Sequence, residues 1–130
     1  MKKIEQSEFL SQCRGYTINK KILNRIDSKY GYLFNHDSHS NNNGRENDMP
    51  HCSRAEELII REEHELVSCC IDNVDFIINE IRNQYGSTTA DMIRYLYIGG
   101  NKTYETASKF NCSAATVHRY IEKAINGVCV

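Results

Sequence analysis

Apolar positions along this chain recur at helical spacing in two long stretches and one compact C-terminal block. Leu10, Cys13, Thr17, Ile22, Ile26, Tyr30 and Leu33 lie three to five residues apart, which predicts a first long helix over residues 4–34. Gly15 interrupts it, and a bend or break is expected there. Its aromatic end, Tyr30 to Phe34, is expected to contact something rather than stand in water. The second stripe is steadier: Val67, Cys70, Ile71, Val74, Ile77, Ile78, Ile81 and Tyr85 follow an i, i+3, i+4 series and predict a helix over 54–85. Ser53 with Glu56 forms a capping box at its start, and Gly86 ends it. Ser87 then caps a third helix, built on Asp91–Ile98 and stopped by Gly99 and Gly100.

The last block, Lys102 to Ile125, has the spacing of a helix-turn-helix. Its first helix falls on Thr103–Lys109, its turn on Phe110–Cys112, and its second helix on 113–125. Ala107 is small where two crossing helices must touch, and Asn111 stands where the turn needs a positive φ. Ser113 is a good N-cap, and Val117, Ile121, Ala124 and Ile125 give the following helix one apolar face. Its other face carries Ala114, Ala115, Thr116, His118, Arg119 and Lys123. Short residues first and basic residues later suit a helix whose N-terminal end enters the major groove. Thr116, His118 and Arg119 are the candidate base-edge contacts, and Ser113, Ala114 and Ala115 at the entering end are also candidate DNA-binding residues. Lys102, Thr103, Lys109 and Lys123 are the candidate phosphate contacts, the first two at the N-terminus of the motif's first helix. An ordinary helical hairpin is the competing reading.

Charge sharpens this picture. The net charge is only −1, but residues 1–34 hold seven bases against three acids, 54–85 three bases against eight acids, and 86–130 five bases against three acids. Opposite charge on the first two segments suggests that they pack together. Residues 35–53, rich in Asn, Ser, Asp and His and holding the one proline, read as a polar flexible linker. His36, His39, His51 and Cys52 in it match no common zinc spacing, so no metal is expected. Glu62 and Glu63 beside His64 read as a solvated helix face. Six cysteines show no CxxC pair and read as reduced thiols, with Cys69, Cys70 and Cys112 on apolar faces and Cys129 in a frayed tail. With no membrane-length apolar run and no signal-peptide pattern, the cytoplasm is the expected location. No catalytic motif is found, so neither an enzyme nor a cofactor is expected.

The order of parts resembles the RinA/ArpU-type regulators of phages and prophages, whose C-terminal part is similar to region 4 of bacterial sigma factors. The resemblance rests on Asp48-Met49-Pro50 and on Tyr97–Ile125, where Glu105, Ala107, Ser113, Val117 and Arg119 fall on the family's pattern. Thr103 replaces the usual aromatic residue, with Tyr104 one place late; Thr106 replaces an isoleucine and Asn111 a turn glycine. The resemblance implies a transcriptional regulator of late or packaging genes, with promoter DNA and host RNA polymerase as partners. The expected fold is all-α: an antiparallel pair of long helices plus a C-terminal three-helix helix-turn-helix unit. The long pair cannot bury both stripes alone, so a homo-oligomer, a dimer by preference, is expected. The alternatives are a polymerase-binding factor like sigma region 4, a small-terminase-like packaging protein, and a helical adaptor with no nucleic-acid role.

Overall fold

A computed structural model describes residues 4–34 and 53–129; the linker histidines, Cys52 and Asp48–Pro50 lie outside the described residues. Every regular element among the described residues is helical. In order they are α1 (Gln6–Arg14), α2 (Tyr16–Tyr30) closing in a short 3₁₀ turn (Gly31–Leu33), α3 (Arg54–Tyr85), α4 (Ser87–Ile93) running into a π-helical turn (Arg94–Ile98), α5 (Thr103–Lys109) and α6 (Ala114–Val128). No described helix is long and apolar enough to cross a membrane. The chain packs as two compact units, Met1–Thr17 with Cys70–Val130, and Ile18–Cys69.

In the first unit the break after α1 falls at Gly15, which keeps right-handed helical dihedrals at φ −88° and ψ −1°. The helical phase is therefore carried across it, and Phe9, Cys13 and Tyr16 are buried at i, i+4 and i+7. Thr17, expected on the apolar stripe, is exposed, and Phe9, absent from that stripe, is fully buried. The C-terminal part of α3 buries Ile71, Val74, Ile77, Ile78 and Ile81. Its helix ends where Gly86 adopts φ +99°, a conformation that side chains rarely tolerate. Gly86, not Ser87, is the N-cap of α4; Ser87 is the first helical residue.

The third helix begins four residues earlier than Asp91 and changes character at Arg94. There the Gly99 N–H donates to the Arg94 carbonyl at 2.8 Å, a π-type bond one residue longer than the α pattern. The Asn101 side chain donates to the Tyr95 carbonyl, also at 2.8 Å, and ties down the exit. A Cβ on Gly99 would stand 2.6 Å from that carbonyl, which explains glycine here. α1 and α5 both pack on the π turn, and α4 and α5 pack on α6.

α6 also runs past the expected end at Ile125. It continues to Val128, and Val128 and Cys129 are buried rather than frayed and exposed. Gly127 permits this extension, because a Cβ there would collide with the Tyr85 hydroxyl.

The second unit has a thin core, with Ile26 and Val67 its buried hydrophobic side chains among the described residues. A polar-aromatic cluster joins its elements. Phe34 stacks on His64 with ring centroids 3.9 Å apart, and His64 Nε2 donates to Asp27 Oδ1 at 3.1 Å. Arg61 donates to the Leu33 carbonyl at 2.9 Å and pairs with Glu57 at 3.0 Å. The aromatic end of the first stretch thus finds its contact, while Glu62 and Glu63 stay exposed. At the start of α3, the Glu56 N–H donates to Ser53 Oγ and the Ser53 N–H to Glu56 Oε1, completing the capping box. Cys69, expected on an apolar face, is exposed.

Candidate nucleic-acid interface

The α5 to α6 connection is set by local chemistry. At the end of α5, Cys112 N–H donates to the Ala107 carbonyl at 3.0 Å and Asn111 N–H to the Ser108 carbonyl at 3.3 Å. These are the two bonds of a Schellman ending, and they place residue 111 in the left-handed region. Asn111 has φ +56°. Ser113 Oγ then accepts from the Thr116 N–H at 3.1 Å and lies 2.9 Å from Thr116 Oγ1. Ser113 thus caps α6, with the Thr116 hydroxyl within hydrogen-bond distance of the cap. Ala107 is buried, and α5 packs on α6.

At the other end of α5, the Glu105 carboxylate accepts from the Lys102 N–H at 2.8 Å. Lys102 is the N-cap but its ammonium has no lone pair to return, so only half of a capping box forms here. Thr106 is fully buried and its hydroxyl donates to the Lys102 carbonyl at 3.1 Å. A polar side chain in a position suited to an aliphatic one is thus satisfied inside its own helix.

The predicted contact residues are accessible. Lys102, Lys109, Ser113, Ala114, Ala115, His118, Arg119 and Lys123 are exposed, and Thr103 and Thr116 are half-buried. On α6, Val117, Ile121, Ala124, Ile125 and Val128 form the buried face. Ala115, Arg119 and Lys123, four residues apart, form one strip opposite it. Thr116 and His118 flank the strip on either side. The single acid of α6, Glu122, is also exposed.

Several aromatic side chains neighbour these residues. Tyr104 and Tyr120 are exposed aromatics. The Lys102 ammonium lies 5.9 Å from the Tyr104 ring centre and the Arg119 guanidinium 5.8 Å from that of Tyr120. Lys109 sits 5.1 Å from the ring centre of Tyr95, which meets Phe110 edge-on at 6.3 Å. Most unexpected is Arg14, at the end of α1 and nearly ninety residues from the motif. Its guanidinium lies 5.9 Å from the Tyr97 ring centre, and it lines an open cleft of about 330 Å³ together with Tyr97, Asn101, Thr103 and His118. The excess of bases in residues 1–34 was the only sequence signal for it.

A second open cleft, of about 410 Å³, is lined by Asp91, Arg94, Tyr95, Lys109 and Phe110. Its charge is mixed, and Asp91 is already paired with Arg82 at 3.1 Å. Among the described residues no group of three or more His, Cys, Asp or Glu side chains is arranged to hold a metal ion.

Compared with known proteins, the chain matches no family model, no curated protein and no solved structure.

Proposed function

We propose that the chain is a sequence-specific double-stranded-DNA-binding transcriptional regulator of the RinA/ArpU type, serving phage or prophage genes. In this reading α5 and α6 form a helix-turn-helix and α4 completes a three-helix unit with them. α6 enters the major groove, with Thr116, His118 and Arg119 at base edges, while Lys102, Thr103, Lys109 and Lys123 hold the backbone. The observation that carries it is the exposed Ala115–Arg119–Lys123 strip on a well-capped helix with a packed opposite face. Such a helix offers small side chains at its entering end and a guanidinium able to bind guanine bidentately.

Dimerisation belongs to the Ile18–Cys69 unit. Ile18, Leu58, Ile59 and Leu66 are each more than half exposed there. Residues 18–34 carry four bases against one acid, and 53–69 five acids against two bases. A second copy laid with its basic α2 segment against the acidic α3 segment would cover the apolar side chains and match the charge.

The test is selection of bound sequences from a random duplex library near physiological salt. A two-fold-related enriched site is expected, with two half-sites about one helical turn apart. Arg119→Ala should cost about 1–3 kcal/mol on that site and relax one base pair. Equal weakening on selected and random duplex would remove Arg119 from base readout. Absence of any enriched site would overturn promoter recognition by this chain alone and favour docking on RNA polymerase.

A further inference from the structure

We infer that the cleft bounded by Arg14, Tyr97, Thr103 and His118 seats a phosphate group of the DNA backbone, making α1 part of the nucleic-acid interface. This rests on the DNA-binding reading above and adds to it a site outside the α5–α6 pair.

The argument starts from the lining. Arg14, Leu96, Tyr97, Gly100, Asn101, Thr103 and His118 contain two basic side chains and no carboxylate. A guanidinium presents a planar fork of donors that fits phosphate oxygens, and the Thr103 hydroxyl adds a donor beside it, while His118, a base-edge residue in that reading, bounds the cleft. Among the described residues Arg14 has no ion-pair partner. Its guanidinium instead lies 5.9 Å from the Tyr97 ring centre, a weak attraction that introduces no carboxylate. An exposed guanidinium without a counter-charge beside an open cleft suits an anion.

Position selects the source of the anion. His118 belongs to the exposed side of α6 and Thr103 opens α5, so a group in this cleft touches both helices of the proposed reading unit at once. A backbone phosphate held there would fix how far α6 enters the groove and in which register, which is the role of backbone contacts in such interfaces. The second cleft adds no new site, because its Lys109 already has a backbone role in the proposed reading.

The experiment measures binding of the full chain to selected and random duplexes over a range of salt. The variants are Arg14→Ala and Arg14→Lys. Arg14→Ala should weaken binding about tenfold at low salt and reduce the salt slope by about 0.9, the amount expected for one lost phosphate contact. The loss should be the same on both duplexes, since a phosphate carries no sequence. Arg14→Lys should keep the slope and recover part of the affinity. An unchanged slope in Arg14→Ala, with the wild type binding, overturns the proposal. So does a loss confined to the selected site. If the wild type binds no duplex, the DNA reading falls first, and phosphorus NMR of inorganic phosphate decides the cleft. Broadening that Arg14→Ala abolishes supports an anion site there, and no broadening removes it.

Discussion

The Tyr16 hydroxyl donates to Asp75 Oδ1 at 2.8 Å, fastening the first residue of α2 to the middle of α3. Tyr16 is buried beside Phe9 and Cys13 in the stripe that continues through Gly15, and the Arg94 guanidinium lies 6.0 Å from its ring centre. One side chain thus links the N-terminal segment, α3 and the start of the π turn. Tyr16→Phe keeps the ring and removes the bond. We expect it to destabilise the protein by about 1 kcal/mol near neutral pH, since the Asp75 end stays solvated. Urea denaturation measures this.

The same pair has a pH signature. Burial first, then the hydrogen bond and charge of Asp75, push the Tyr16 hydroxyl above the ordinary tyrosine value of 10.0, with Arg94 pulling the other way. The raised value means that folding favours the neutral phenol. That stabilisation is complete below the ordinary value and is lost as pH rises through the raised one. The stability difference between wild type and Tyr16→Phe should therefore persist to about pH 10 and shrink above it. A difference unchanged in strong base would contradict the assignment.

Asn111 holds φ +56° in the Schellman turn. Asn reaches that region at a cost glycine avoids, so Asn111→Gly should stabilise the fold by about 0.5–1 kcal/mol. Asn111→Val, with a branched Cβ in the same place, should destabilise by about 1–2 kcal/mol or more. Opposite shifts in melting temperature are the expected outcome. A gain with valine would mean that the turn does not hold this conformation.

Thr106 offers a different route to stability. Its buried hydroxyl bonds only to the Lys102 carbonyl, which already accepts the Thr106 N–H at 3.0 Å. Thr106→Val leaves no orphaned carbonyl and replaces a polar atom in the core with a methyl group. We expect a gain of about 0.5–1 kcal/mol with unchanged helix content by circular dichroism. A loss would show that the hydroxyl contributes more than its local bond.

These residues also show what the amino-acid pattern could and could not reveal. Gly86, Asn111 and Ser113 were legible because each answers a local backbone need that a few residues determine. The apolar face of α3 was legible because a long period survives small errors of phase. Phe9 and Tyr16 were missed because the stripe was drawn through Leu10 and Thr17, each one position past the buried residue. The helical run through Gly127 depends on Tyr85, forty-two positions away, and no local rule anticipates that contact. Arg14 is the same kind of case. Its neighbours Thr103 and His118 become visible only once α1 packs on the π turn.

Thiol chemistry should separate the described cysteines by environment. Burial, and secondarily the neighbouring Cys129, push the Cys13 thiol up to about 12, with Arg14 and Arg94 opposing. Thiolate is the reactive form, so a buried thiol raised this far is nearly inert at neutral pH. Cys69 is exposed on α3 and Cys129 is buried. In the native protein, alkylation followed by peptide mass spectrometry should label Cys69 quickly, while Cys13 and Cys129 react only on unfolding. Early labelling of Cys129 would mean that α6 frays at its end after all.

The exposed apolar side chains of α3 make the dimer proposal open to a clean test. Ile59 and Leu66, seven residues apart and so on one side of the helix, are 65 % and 67 % exposed. If the chain is monomeric, neither packs against anything, and the double variant Ile59→Ala with Leu66→Ala should leave unfolding within about 0.5 kcal/mol of wild type. If a second copy covers them, each removes a buried aliphatic side chain worth about 1.5–3 kcal/mol at the interface. Sedimentation equilibrium should then show the dimer dissociating at concentrations higher by about a hundredfold or more. High salt should weaken the wild-type dimer too, because its charged segments are exposed and screened. A wild-type monomer at micromolar concentration would remove the dimer, and with it the expectation of a two-fold site. A dimer indifferent to both substitutions would place the interface on another surface.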